Sequence, residues 1–181
     1  DLSEAMVGQA VDIAIAKSSK VKFRAADACK LPYEDASFDG AVFGFNGMMQ
    51  IPGRERRRTA MREICRVCRP GSFFIFTTHD RDNPHHRHYW EEQRRLWECN
   101  AQDPRLEDFG DRYEETPLGM LFIHIPLRPE IHDDIDQTGW EYVSDTPRSL
   151  LANEGAAVRE FSDDCRFWIV RKPGGKTHEL D

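Results

Sequence analysis

Three polar side chains follow apolar, strand-like runs: Asp27 after Val21–Ala26, Asn46 after Gly40–Phe45 and His79 after Ser72–Thr78, while Asp1 precedes a helix start. A carboxylate accepts hydrogen bonds from hydroxyl and amino groups, a carboxamide both donates and accepts, and an imidazole can take a proton near neutral pH. Each residue also has a plainer use. Asp1 can be a frayed terminal acid, Asp27 a helix or turn cap, Asn46 ahead of Gly47 a turn former, and His79 a cap or solvent-facing group. His79-Asp80 with His85, His86 and His88 has the residue types of a metal site, but Arg81 and Arg87 lie among them and would repel a cation, so no metal is expected. Cys65-x-x-Cys68 falls on an apolar helix face and reads as core rather than zinc or redox chemistry. The arginines between 54 and 69 read as a solvated helix face.

The elements that must position these groups follow from periodicity. Ser3-Glu4 is a cap with an acid in the first turn, and Met6, Val7, Ala10, Val11 and Ala14 recur at helical spacing, predicting a helix over 4–17. Residues 21–26 alternate as a strand with one wetter face, and 40–45 and 72–78 are apolar on both faces, as strands inside a parallel sheet are. Between them 54–68 predicts a helix with Ala60, Met61, Ile64, Cys65, Val67 and Cys68 on its buried stripe, ended by Arg69-Pro70-Gly71. The stretch 79–117 breaks the rhythm, with a helix expected over 86–99. A short strand follows at 119–125, a helix from Pro129 to Gly139, strands at 140–143 and 161–171, and an exposed excursion over 146–159. The sum is an α/β doubly wound sheet, which binds ligands at the carboxyl ends of its strands. Those ends carry Asp1, Asp27, Asn46 and His79.

Length and composition set bounds on this. A chain of 181 residues makes one compact domain. No apolar run approaches the ~20 residues that cross a bilayer, so no membrane association is expected. A net charge of −7 gives no general attraction to nucleic acid or anionic lipid, and five cysteines without paired clusters suit a reducing, cytoplasmic setting. Oligomeric state is not legible.

Several motifs resemble those of class I S-adenosylmethionine-dependent methyltransferases, in that family's order. Asp1-Leu-Ser-Glu-Ala-Met6 resembles the segment after its second strand. Ala26-Asp27-Ala28, Leu31-Pro32-Tyr33 and Ser37-Phe38-Asp39 resemble its third- and fourth-strand signature. Arg62-Glu63-Ile64-Cys65-Arg66-Val67-Cys68-Arg69-Pro70-Gly71 resembles its "E-x-x-R-V-L-x-P-G-G" turn, with Cys68 and Ser72 as departures, and Thr138-Gly139-Trp140 stands in the place of "A-G-F". The resemblance implies a mostly parallel, seven-stranded Rossmann-like sheet of order 3-2-1-4-5-7-6 with the last strand antiparallel. It also implies S-adenosylmethionine as cofactor and direct methyl transfer to a small molecule.

By that resemblance Asp1 would accept from both ribose hydroxyls, Leu2 and Met6 would line the adenine, Asp27 would accept from the adenine amino group with Ala28 giving backbone contacts, and Asn46 would face the methionyl end. His79 would stand at the substrate end as general base or polar contact. Residues 1–173 would be one domain, with an insert over 79–125 whose Tyr89, Trp90, Trp97, Phe109 and Tyr113 wall a substrate pocket or pack over the sheet edge, and a tail over 174–181. The family's first strand and glycine-rich loop have no counterpart, so the expectation is that they lie upstream and that this stretch alone binds cofactor poorly. The alternatives are a non-catalytic relative of the same fold and a nicotinamide-dependent oxidoreductase, the latter disfavoured by the closing antiparallel pair.

Overall fold

The computed structural model describes residues 1–116, 119–161 and 163–174. Helix α1 (Glu4–Ala16) begins where Ser3 is extended and its hydroxyl accepts from the Met6 N–H at 3.3 Å. Strand β1 (Phe38–Phe43) leads through a 3-10 turn, Gly47–Gln50, to α2 (Arg54–Val67). Gly53, at φ +80°, turns the chain into α2 in a conformation that costs glycine little. Ala60, Met61, Ile64 and Val67 form the buried stripe of α2. At its end the Lys172 ammonium donates to the carbonyls of Cys65 (2.6 Å) and Cys68 (2.8 Å), acceptors that a helix terminus otherwise leaves open.

Strand β2 (Cys68–Thr78) runs parallel to β1, with Ala41 opposite Phe74 and Phe43 opposite Phe76. Strand β6 (Arg166–Arg171) is antiparallel to β2 on one side and to β5 (Glu141–Pro147) on the other, giving the order β1-β2-β6-β5. This is a Rossmann-like mixed sheet in which only the last strand runs against the rest. Phe74, Phe76, Trp168 and Val170 are fully or almost fully buried and make its core with Met48, Met49, Met61, Ile131 and Ile135. Burial of each large side chain contributes about 1.5–3 kcal/mol. Two buried indoles also have hydrogen-bond acceptors: Trp168 donates to the Thr78 hydroxyl (3.0 Å) and Trp140 to the Met61 carbonyl (3.1 Å).

After β2 come a 3-10 turn (Pro84–His86), α3 (Arg87–Glu98) and a hairpin of β3 (Asp111–Thr116) and β4 (Gly119–His124), followed by α4 (Arg128–Asp136), whose Ile131 and Ile135 join the sheet core. Two short helices, α5 (Arg148–Leu151) and α6 (Ala156–Phe161), connect β5 to β6.

Four expectations need correction. Residues 21–26 form no strand, with Val21 62% and Phe23 41% exposed. A strand needs a ladder partner, and no described strand lies beside this segment; its end is held by the Ala26 N–H donating to the Asp1 carbonyl at 2.8 Å. For the same reason β1, whose apolar composition suits a sheet interior, is an edge strand here, with Val42 76% exposed. The last strand begins at Arg166, not 161, after a 146–159 stretch that is largely exposed, as expected, and carries two short helices. The arginines of α2 are not simply solvated: Arg57 is 1% exposed, and Arg54 and Arg58 each place Nε 2.8 Å from Asp134 of α4. The expected tail beyond Gly174 lies outside the described residues.

Candidate functional site

A cleft of about 610 Å³ opens between the chain start, the loop over 26–33 and the free edge of β1. Asp1, Leu2, Asp27 and Ala28 all line it, so two segments well separated in sequence supply four of the expected cofactor residues to one wall. Local hydrogen bonds explain their placement. Asp1 Oδ1 accepts from the Ser3 N–H (2.8 Å), fixing the entry to α1. Asp27 Oδ1 accepts from the Cys29 N–H (2.8 Å), and its Oδ2 lies 3.7 Å from Arg56, so the turn-capping use anticipated for Asp27 is present and leaves one oxygen loosely held. Burial, with the neighbouring Asp27 carboxylate, pushes the Cys29 thiol up from its ordinary range. Met6 does not join them: it is 60% exposed on α1, whose one buried residue is Ala14.

Asn46 lies outside that lining, just beyond β1. Its backbone is left-handed at φ 54°, the turn-forming role of an Asn-Gly pair, and its N–H donates to the Thr77 hydroxyl at 2.8 Å. Its Nδ2 donates to His79 Nε2 at 2.9 Å, while Oδ1 is buried without a partner among the described residues. His79 Nδ1 faces the Asp164 carbonyl at 3.4 Å. The ring is thereby assigned as the Nδ1–H tautomer, with its basic nitrogen turned to Asn46. The carboxyl ends of β1 and β2 therefore meet through one amide–imidazole pair.

The aromatic residues of the insert pack together. Trp90 is 8% exposed, edge-on to Tyr89 (4.9 Å) and Phe109 (5.9 Å), and Trp97 stands edge-on to Phe109 at 6.0 Å. Tyr113 packs on Phe122 across the hairpin at 5.4 Å. Of these rings only Trp90 reaches the small cavity of about 20 Å³, large enough for a single water, that His79 also lines.

Residues 1–76 match the family described as "Methyltransferase domain". An O-methyltransferase of Aspergillus sclerotiorum is 39% identical over 70 residues, 39% of this chain but only 23% of that relative's length. A solved S-adenosylmethionine-dependent methyltransferase of Methanosarcina mazei superposes with a TM-score of 0.76 at 18% identity, covering 97% of this chain and 81% of that one. The cyclase SpnF has the same fold, with a TM-score of 0.63, 20% identity and coverage of 96% and 65%.

Residues 1–76 are thus similar to a methyltransferase domain, and the fold is the one S-adenosylmethionine-dependent methyltransferases share.

Sequence reasoning missed one ionic network in this chain. His124 of β4 lies between Asp111 of β3 (Nδ1 to Oδ1, 2.7 Å) and Glu130 of α4 (Nε2 to Oε2, 3.2 Å), and Glu130 also pairs with Arg81. Arg81 donates besides to the Phe109 carbonyl and lies over the Phe109 ring at 4.8 Å. Burial alone would raise the Asp111 and Glu130 carboxyls, but their bonds to His124 and other donors outweigh it and hold both below the usual range. Burial pulls the Arg81 guanidinium down. The network ties Arg81, just after β2, and the β3–β4 hairpin to α4, and so fixes the insert over the sheet. Its only sequence signal was a lone His124 closing the apolar run Gly119–Ile123. No described helix is long and apolar enough to cross a membrane.

Proposed function

We propose that this chain forms the cofactor cleft and substrate side of an S-adenosylmethionine-dependent methyltransferase acting on a small molecule, with residues 1–173 as one domain. The convergence of Asp1, Leu2, Asp27 and Ala28 on one cleft carries the reading. Its volume is on the scale of small-molecule and cofactor sites, ~300–1,000 Å³. Its acceptor carboxylates also suit an adenosine. The Asp1 oxygen not held by Ser3 would accept from ribose hydroxyls, and the loosely held Asp27 oxygen from the adenine amino group. Leu2 would cover the base and Ala28 would offer its backbone.

The bound cofactor would supply an electrophilic methyl group; the protein's part is to orient it, exclude water and manage one proton. Asn46, at the end of β1, would face the methionyl end. His79 Nε2 would exchange its bond from Asn46 for one from a substrate hydroxyl and take that proton as the methyl is received. The resulting imidazolium would keep its Nδ1–H toward the Asp164 carbonyl. A hydroxyl acceptor is suggested by the name of the Aspergillus relative, and Trp90 would flank it.

A second reading, a methyltransferase fold used without methyl transfer, draws on the open ladder edge of β1 beside the cleft and on the cyclase that shares the fold. The test is incubation of the full gene product with methyl-labelled S-adenosylmethionine and a metabolite extract. Label in a small-molecule product supports the first reading. Cofactor binding without transfer to any acceptor supports the second, and no binding rejects both cofactor-dependent forms.

A further inference from the structure

Arg66 was expected to decorate a wet helix face. Instead each of its five guanidinium N–H groups has an acceptor. Nε and Nη2 form a two-pronged pair with Glu63 (2.8 and 2.9 Å), one turn earlier on α2. Nη2 also donates to the Leu31 carbonyl (3.1 Å), and Nη1 donates to the Tyr33 carbonyl and the Asp35 carboxylate, both at 2.8 Å. Glu63 completes the arrangement by accepting from the Leu31 N–H at 2.9 Å, and the Arg66 carbonyl accepts from the Ala36 N–H at 3.0 Å. Two side chains of one rigid helix thus grip both backbone groups of Leu31 and a further carbonyl two residues on.

The gripped loop continues directly from Asp27 and Ala28, which line the proposed cofactor cleft, as do Leu31 and Tyr33. The loop has no regular backbone ladder of its own, so its shape depends on such side-chain contacts. Exposed ion pairs are weak in general, but planar two-pronged geometry onto carbonyls and a carboxylate is the arrangement in which arginine, and not lysine, fixes a position.

We propose that Glu63 and Arg66 are positioning residues: a clamp that holds the 27–33 loop in its binding shape and thereby sets cofactor affinity without touching the cofactor. The inference rests on the cleft being the cofactor site.

Two readouts on the full gene product separate the inference from that premise. The first needs no ligand. In Arg66→Gln, amide hydrogen exchange over 29–36 should speed up by about tenfold or more, as the Leu31 and Ala36 N–H bonds open more often. Exchange within β2 and β6 should stay as in the wild type. Arg66→Lys should resemble Arg66→Gln, because a point charge cannot span Glu63 and the loop carbonyls together. The second readout is calorimetric S-adenosylmethionine binding. Arg66→Gln should weaken it by roughly tenfold, and combined with Asp27→Asn the losses should be less than additive, since both act through one loop.

Unchanged exchange over 29–36 overturns the clamp. Faster exchange with unchanged affinity, or with losses that simply add, overturns its role in binding. A wild-type protein that binds no cofactor overturns the premise and the affinity half of the inference, while the exchange result still decides whether the clamp exists.

Discussion

Asp145 on β5 is the best place to test how the closing strands are locked. Its side chain is fully buried, and it accepts from Arg128 at the start of α4 (2.7 Å), from Arg166 on β6 (2.5 Å) and from the Tyr142 hydroxyl (2.6 Å). Arg166 reaches on to Asp80 at 3.2 Å, next to His79. Burial alone would raise this carboxyl, but Arg128, Tyr142 and Arg166 together lower it from 3.8 to about 2. That depression is worth at most about 2 kcal/mol of folding free energy. Because the folded value is the lower one, the contribution is fully present above pH ~4 and fades as pH falls from about 4 toward 2. Asp145→Asn should therefore be up to about 2 kcal/mol less stable than the wild type at pH 7, and the gap should close on acidification. Urea unfolding of both proteins between pH 7 and pH 2.5 measures it. A gap that stays constant across that range would refute the electrostatic account and point to packing alone.

Other perturbations follow from the same geometry. Asp134→Ala should cost about 1–3 kcal/mol by thermal or urea unfolding, since it leaves the Nε–H groups of Arg54 and Arg58 without their acceptor and the tie between α2 and α4 resting on Asp133. Trp90→Ala should cost about 3–5 kcal/mol, because the ring is core of the insert, so its loss of activity would report stability as much as substrate contact. His79→Ala should reduce turnover while leaving S-adenosylmethionine affinity within a few tenths of a kcal/mol, measured by label transfer and calorimetry in parallel; wild-type turnover would remove His79 from the proposed chemistry.

What the sequence revealed depended on whether a signal was local. The apolar stripe of α2 and the two-faced apolar run of β2 were legible because burial repeats within one element. The placement of Asp1 and Asp27 was legible only through motif order, since nothing in either residue says that the segments meet. Strand β3 escaped notice because Asp-Arg-Tyr-Glu-Glu-Thr shows little alternation when its hairpin is only half covered. The 21–26 alternation was real, but a strand is a relation between neighbours, and the ladder it calls for is absent among the described residues. Arg57 and Arg66 were misread for a single reason. Composition does not distinguish a solvated arginine from one whose partners, Asp108 or the Leu31–Asp35 loop, lie tens of residues away. The His124 network was hidden in the same way, as its acids come from a different strand and a different helix.

The central claim is that Asp1 and Asp27 face the adenosine of a bound cofactor. Calorimetry of S-adenosylmethionine binding to the full gene product, wild type against Asp1→Ala and Asp27→Ala, tests it most directly. Each substitution should weaken binding by about 1–3 kcal/mol, the cost of leaving ligand hydroxyl or amino groups unpaired. Affinity unchanged in both variants would contradict the assignment of this cleft.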